Sequence, residues 1–334
     1  MEKMVSNFWK NRSVLVTGAS GLVGGWLVKE LLKRESRVTA LILDSEPTSE
    51  LFRSGDINCI SVINGNLDVY DDVSRAVSQS EAKTIFHLGA QTIVGTALND
   101  PINTFKTNIQ GTWNVLEAAR RMPSLVSSIV VASSDKAYGT SKHLPYTEDQ
   151  PLNGDGPYDV SKSCTDLIAQ TYGKTFGLPV TIARCGNIYG GGDLNWSRIV
   201  PGTLRDISLG NITELRSDGS FTRDYVHVLD IVEAYLYLAE STEKLEINGQ
   251  AFNFSRDEPL SVLDIHKAIY KASNRDYVAP KIIDSAKSEI KDQHLDSRKA
   301  KTILNWSSNV SLSEGLAMTA EWYTNYFSQN KPSK

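Results

Sequence analysis

Short apolar, β-branched runs alternate with amphipathic helical patterns through the first half of the chain. "SVLVT" (13–17), "RVTALIL" (37–43), "CISVI" (59–63), "TIFHL" (84–88), "SSIVVAS" (127–133) and "PVTIAR" (179–184) read as strands without a polar face. Between them, "GLVGGWLVKELLKR" (21–34), "NTFKTNIQGTWNVLEAARR" (103–121) and "GPYDVSKSCTDLIAQTYGKTFG" (156–177) carry apolar residues at helical spacing, the last with Gly177 where a C-terminal cap is expected. Continuous apolar strands separated by helices predict an α/β fold, a doubly wound parallel sheet covered on both faces. Past Arg184 the pattern loosens. Glycines gather in "GNIYGGGD" (186–193) and shorter elements follow. The expected organisation is a first lobe of residues 1–184 and a smaller C-terminal α/β lobe made mainly of 185–334. The apolar stretch 228–240 is predicted to pack back on the first lobe, and the final "NKPSK" to fray.

Composition narrows the classes. The 334 residues carry 35 Lys and Arg against 39 Asp and Glu, a net charge of −4, so no basic footprint points to nucleic acid or an anionic membrane. Cys59, Cys164 and Cys185 are too scattered for a disulfide framework or a zinc site, and the five histidines form no HxxxH or HxH pair, so no metal is expected. "MEKMVSNFWKNRS" lacks the apolar core of a signal peptide, and no apolar run is long enough for a membrane span; a cytoplasmic location is the expectation.

"VTGASGLVGG" (16–25) changes the picture. It places Gly18, Gly21 and Gly24 between the first strand and the first helix. Gly18 permits a tight turn, Gly21 lets a pyrophosphate approach the backbone, and Gly24 lets the helix approach the sheet, while the helix N-terminus offers amide donors. Asp44 ends the second strand about twenty residues further on, where a carboxylate accepts both ribose hydroxyls of an adenosine and repels a 2′-phosphate. The lobe reads as Rossmann-type, with NAD favoured over NADP.

Tyr158 and Lys162 lie four residues apart, on one face of the helix 156–177. An ammonium near a phenol favours the phenolate and makes it a usable base. Ser134, at the end of the strand 127–133, would orient Tyr158 and a substrate oxygen. Beside it stand Asp135 and Lys136, either an exposed turn pair of little energetic consequence or an acid and a base aimed at one substrate.

Taken together, TGxxGxxG, "HLGAQ" (87–91), the strand ending "SSD" (133–135), YxxxK and "RDYVHVLDIVEAY" (223–235) resemble the extended short-chain dehydrogenase/reductase family, which acts mostly on nucleotide sugars. The serine–aspartate–lysine run is similar to that of its CDP-glucose 4,6-dehydratase branch. So are "FWKNRSVLVTGASGLVGGWL" (8–27), "ARCGNIYGGGDLNWSRIVP" (183–201) and "HLDSRKAKTILNW" (294–306). Asn66 stands where the family often has aspartate, and Gly89 where alanine is usual.

The resemblance implies that NAD is held by Gly18, Ser20, Gly21, Leu22, Val23, Gly24, Asp44, Asn66, Leu67, Leu88, Ala90, Asn108, Ser133, Tyr158, Lys162 and Cys185. Gln91, Asn187, Arg198, Arg205 and Arg223 would hold a nucleotide-diphosphate sugar, with Arg223 as a bidentate phosphate grip. It implies a homodimer or higher homo-oligomer through helices 101–121 and 157–176. The expected reaction is C4 oxidation by Ser134, Tyr158 and Lys162, then removal of water across C5 and C6 by Asp135 as acid and Lys136 as base. A nucleotide-sugar 4-epimerase and a catalytically silent NAD-binding regulatory protein stand as alternatives.

Overall fold

The computed structural model describes residues 7–285 and 290–329; the "NKPSK" tail lies outside them. Seven parallel strands form the central sheet, in the order Ala251–Phe254, β6 (Val180–Cys185), β5 (Ser128–Ala132), β4 (Thr84–His87), β1 (Ser13–Thr17), β2 (Arg37–Ile42), β3 (Ser61–Asn64). From β1 the chain winds outward through β2 and β3, then crosses to β4 and winds the other way. This reversal opens a crevice beyond the carboxyl ends of β1 and β4, where doubly wound sheets bind their ligands.

The inner strands are largely apolar because both their faces are covered. Val14 and Val16 enter one core with Leu27, Val28 and Leu31 of helix α1 (Leu22–Lys33) and with Ile231 of the helix Val228–Lys244. Leu15, one residue out of phase, enters the opposite core with Val77, Val115 and Ala169. The edge strand β3 has mostly exposed side chains. It starts at Ser61 rather than Cys59 because a 3-10 turn, Asp56–Cys59, occupies the preceding residues after Gly55 at φ 81°.

Two further features depart from the pattern reading. The helix over 101–121 is interrupted: Pro101–Phe105 is α-helical, Lys106–Gln110 forms a π turn, and Gly111–Arg120 resumes the α-helix. And Ala251–Phe254, well past position 185, returns to the large sheet beside β6, with Ala251 opposite Ile182. The helix Val228–Lys244 lies against α1, β5 and β6. The smaller lobe has its own core of Val200, Leu204, Ile265, Ile269, Leu316 and Tyr323, drawn largely from the helices Ile199–Leu209, Val262–Ala272 and Leu312–Gln329.

The helix Pro157–Phe176 ends at Gly177, at φ 65°. A buried, bidentate pair from Arg184 on β6 to Asp166, at 2.8 Å for each bond, ties it to the sheet. Arg184 also donates to the Tyr138 hydroxyl at 2.7 Å.

Candidate active site

At the end of β1 two glycines have no room for a side chain. Gly18 sits at φ 72°, and a β-carbon there would lie 2.7 Å from the Gly89 nitrogen. A β-carbon on Gly24 would lie 2.1 Å from the Gly18 oxygen. Gly21, the N-cap of α1, has no side chain with which to satisfy the amides of the first turn, so they face the crevice as donors. The Thr17 hydroxyl accepts from Gly89 N at 3.0 Å and bonds His87 Nδ1 at 2.9 Å, while His87 Nε2 meets Thr112 at 3.0 Å. Burial, assisted by the nearby Lys162 charge, lowers the His87 pKa to about 3, so this imidazole is a neutral brace beneath the crevice.

A cavity of about 1520 Å³ runs from Asp44 past Tyr158 to Arg223 and Arg205. Gly18, Ser20, Gly21, Leu22, Val23, Gly24, Asp44, Asn66, Leu67, Leu88, Ala90, Ser133 and Cys185 line its nucleotide end. Ser134, Asp135, Lys136, Tyr158 and Lys162 meet at its middle, and Asn187, Arg198, Arg205 and Arg223 line the small-lobe side. Two predicted contacts do not line it. Asn108 is buried in the π turn, its amide bonded to the Gln91 backbone on both sides (2.7 and 2.9 Å) and to Ser161 at 2.9 Å. The Gln91 side chain is turned to Thr104 and to the Ile93 backbone. Both side chains bond neighbouring loop atoms.

The middle of the cavity is built by the turn after β5. Ser134 caps the 3-10 turn Asp135–Tyr138, accepting from Lys136 N at 3.2 Å and donating to Asp135 Oδ1 at 3.0 Å. Asp135 is 2 % exposed, and its Oδ2 has no partner among the described residues. Burial raises its pKa, against the pull of Lys136, Ser134 and Arg223. Lys136 Nζ donates to Gln293 Oε1 at 2.5 Å. Burial pushes the Tyr158 phenol up to about 12; Arg198 and a hydrogen bond with Ser134 pull it down, and Asp135 and Asp159 push it further up.

Lys162 is anchored at the sheet. Its ammonium donates to the Ala132 carbonyl at 2.8 Å, and burial lowers its pKa to about 8, opposed by Asp166 and Cys185. Helical spacing puts Lys162 on the face of Tyr158, but its charge is directed at the end of β5. A cation that favours the phenolate comes from the small lobe: Arg198, paired with Asp193 at 3.0 Å.

Arg223 is 7 % exposed and donates to the carbonyls of Thr222 (2.8 Å), Ile290 (2.6 Å) and Lys291 (2.8 Å). Arg205 lies over the Trp196 ring at 5.5 Å, with its buried Nε unpartnered among the described residues. Sequence reasoning missed Gln293. Its partner Lys136 is 157 positions away, and no local pattern joins them.

The family described as GDP-mannose 4,6 dehydratase matches residues 15–319. The chain belongs to that family. This member is 27% identical to the CDP-glucose 4,6-dehydratase of Salmonella typhimurium, over 95% of this chain and 92% of that one. It is 30% identical to the UDP-glucose 4-epimerase of Mycolicibacterium smegmatis, over 93% and 98% of the two chains. Its fold superposes on the dTDP-glucose 4,6-dehydratase of Streptomyces venezuelae, solved with NAD bound, with a TM-score of 0.84 and 25% identity, covering 96% and 99% of the two chains. These relatives bear out the expected extended short-chain dehydrogenase/reductase membership and the Rossmann-type sheet. No helix among the described residues of this family member is long and apolar enough to cross a membrane.

Proposed function

We propose that the protein is an NAD-dependent nucleotide-sugar 4,6-dehydratase, with CDP-glucose as the preferred substrate. One observation carries the reading: a buried carboxyl with a raised pKa, Asp135, and a lysine, Lys136, stand beside Ser134 and Tyr158 in one cavity wall. C4 oxidation needs neither of the first two, whereas elimination needs both.

The nucleotide end fits NAD. Gly18 and Gly24 are closed to side chains, the first turn of α1 offers amides to a pyrophosphate, and Asp44 lines the far end for the adenosine ribose. When bound, NAD supplies the acceptor for the C4 hydrogen and its return to C6. Tyr158 takes the O4 proton while Ser134 holds the oxygen in place. The C4 ketone acidifies C5, and Lys136 as free amine takes that proton. Asp135, whose pKa burial raises, acts in its protonated form and gives its proton to the departing C6 hydroxyl, which leaves as water. Lys136 then returns a proton to C5. The product is a 4-keto-6-deoxy sugar. Arg198 and Arg205 are better placed than Arg223 to receive the diphosphate, because Arg223 holds three carbonyls. We also assign a homodimer, supported by the exposed apolar side chains of Leu98, Ile102, Trp113 and Leu167 on adjoining helices.

The test is incubation with CDP-, dTDP-, GDP- and UDP-glucose, read by mass spectrometry. Loss of one water from a member of the panel supports the reading, and Asp135→Asn and Lys136→Met then lose it. A product of unchanged mass and inverted C4 would identify the 4-epimerase instead.

A further inference from the structure

Gln293 stands outside the roles described so far. It is fully buried, and of its two polar atoms one is used: Oε1 accepts from Lys136 Nζ at 2.5 Å, while Nε2 has no partner among the described residues. A buried amide with one half unpaired costs stability, so the half that is paired calls for a reason.

The backbone that carries Gln293 is fixed on both sides. The strand Asp292–Gln293 runs parallel to Thr222–Arg223, with Gln293 beside Arg223. Arg223 bonds the carbonyls of Ile290 and Lys291, and the Thr222 hydroxyl bonds Asp292 at 2.8 Å. Further along, Tyr146 N donates to the His294 carbonyl and Asp296 N to the Tyr146 carbonyl, each at 2.9 Å, and Leu295 N donates to Asp224 at 2.6 Å. The amide oxygen is a fixed point; a lysine is a flexible four-carbon arm.

We propose that Gln293 is a positioning residue that holds the Lys136 nitrogen at the C5 face of the sugar. The inference rests on the dehydratase reading. An amide oxygen orients the lysine without the charge of a carboxylate, which would favour the ammonium over the amine that has to accept the C5 proton. Asp159, and Asp135 when ionised, are carboxyl neighbours that interact with the Lys136 charge.

The test uses the full chain with NAD and whichever of the four NDP-glucoses the wild type dehydrates. Gln293→Met removes the acceptor at similar length. It is expected to slow water loss about tenfold to a hundredfold with KM unchanged, in line with the cost of a misplaced group. The kinetic isotope effect from deuterium at C5 should rise and that from deuterium at C4 should not. Gln293→Glu keeps an acceptor but favours the ammonium, so its rate falls at neutral pH and recovers as pH rises. A Met variant with the wild-type rate, or a slowed one with both isotope effects unchanged, overturns the proposal. If the Met variant does not fold, a Glu variant with an unshifted pH profile overturns it. A wild type that releases no water from any of the four defeats the dehydratase reading, and this inference with it; a wild type that dehydrates beside an unimpaired Met variant defeats the inference alone.

Discussion

Trp26 donates its indole N–H to the Gly191 carbonyl at 2.7 Å, joining the first turns of α1 to the glycine run that leads into the small lobe. Gly191 also lies flat against Trp322, where an added β-carbon would sit 2.2 Å from the ring. The Trp322 indole donates to Glu50 at 2.9 Å, and Lys29 of α1 donates to the same carboxylate at 2.6 Å. These contacts help fix the seam between the nucleotide end and the small lobe. Trp26→Phe should cost about 1 kcal/mol and a few degrees of Tm by loss of one hydrogen bond. Calorimetric titration should show the sugar nucleotide bound more weakly and NAD little changed.

Gly24→Ala places a methyl group within the Gly18 carbonyl. It should destabilise the protein by about 1–3 kcal/mol, as overpacking does, and weaken NAD binding by at least about tenfold, because the helix has to move away from the sheet. Fluorescence titration with NAD measures the second effect directly.

Arg198 draws the Tyr158 phenol downward, against burial and the carboxyls of Asp135 and Asp159. A base works in its ionised form, so activity rises as pH passes upward through its pKa. Arg198→Gln removes the pull, moves that limb of the kcat/KM profile to higher pH, and lowers activity at pH 8. A limb that stays in place, or moves down, would show that Arg198 does not reach the phenol.

Asp166→Ala leaves the Arg184 guanidinium buried without its carboxylate, a loss of about 3–5 kcal/mol measurable by urea unfolding. Asp166 also raises the Lys162 pKa. The milder Asp166→Asn should therefore lower it below about 8, so that Lys162 loses its proton at lower pH than in the wild type. Nitrogen-15 NMR of the lysine reads that shift.

If the proposed dimer forms through these helices, replacing Ile102 and Leu167 together by glutamate should turn it into a monomer in sedimentation, with the fold retained, because both side chains are more than half exposed in the single chain.

The sheet was legible because its inner strands are covered on both faces, which writes them as largely apolar runs. The glycine loop was legible because no other residue fits at Gly18 and Gly24. "AFNF" (251–254) was not. It is short, and its one polar residue, Asn253, looks like a loop residue until its amide is seen bonding Tyr138 at 2.8 Å and Tyr146 at 2.9 Å. Asn108 reads as a polar position near a cofactor, but the π turn rotates it into the protein. Spacing put Lys162 beside Tyr158, yet spacing cannot say which way a long side chain points. Lys136 and Gln293 meet only through tertiary structure.

The return of Ala251–Phe254 to the sheet has a further consequence. The first part of the small lobe, including Arg198, Arg205 and Arg223, is threaded between two neighbouring strands of the large sheet. Removal of everything after Cys185 would strip β6 of its outer neighbour and leave a row of unsatisfied amides and carbonyls flanked by apolar side chains, a template for strands from other molecules. The nucleotide-binding half therefore needs residues 251–254 to close its sheet edge, and a fragment without them would present that edge to other chains.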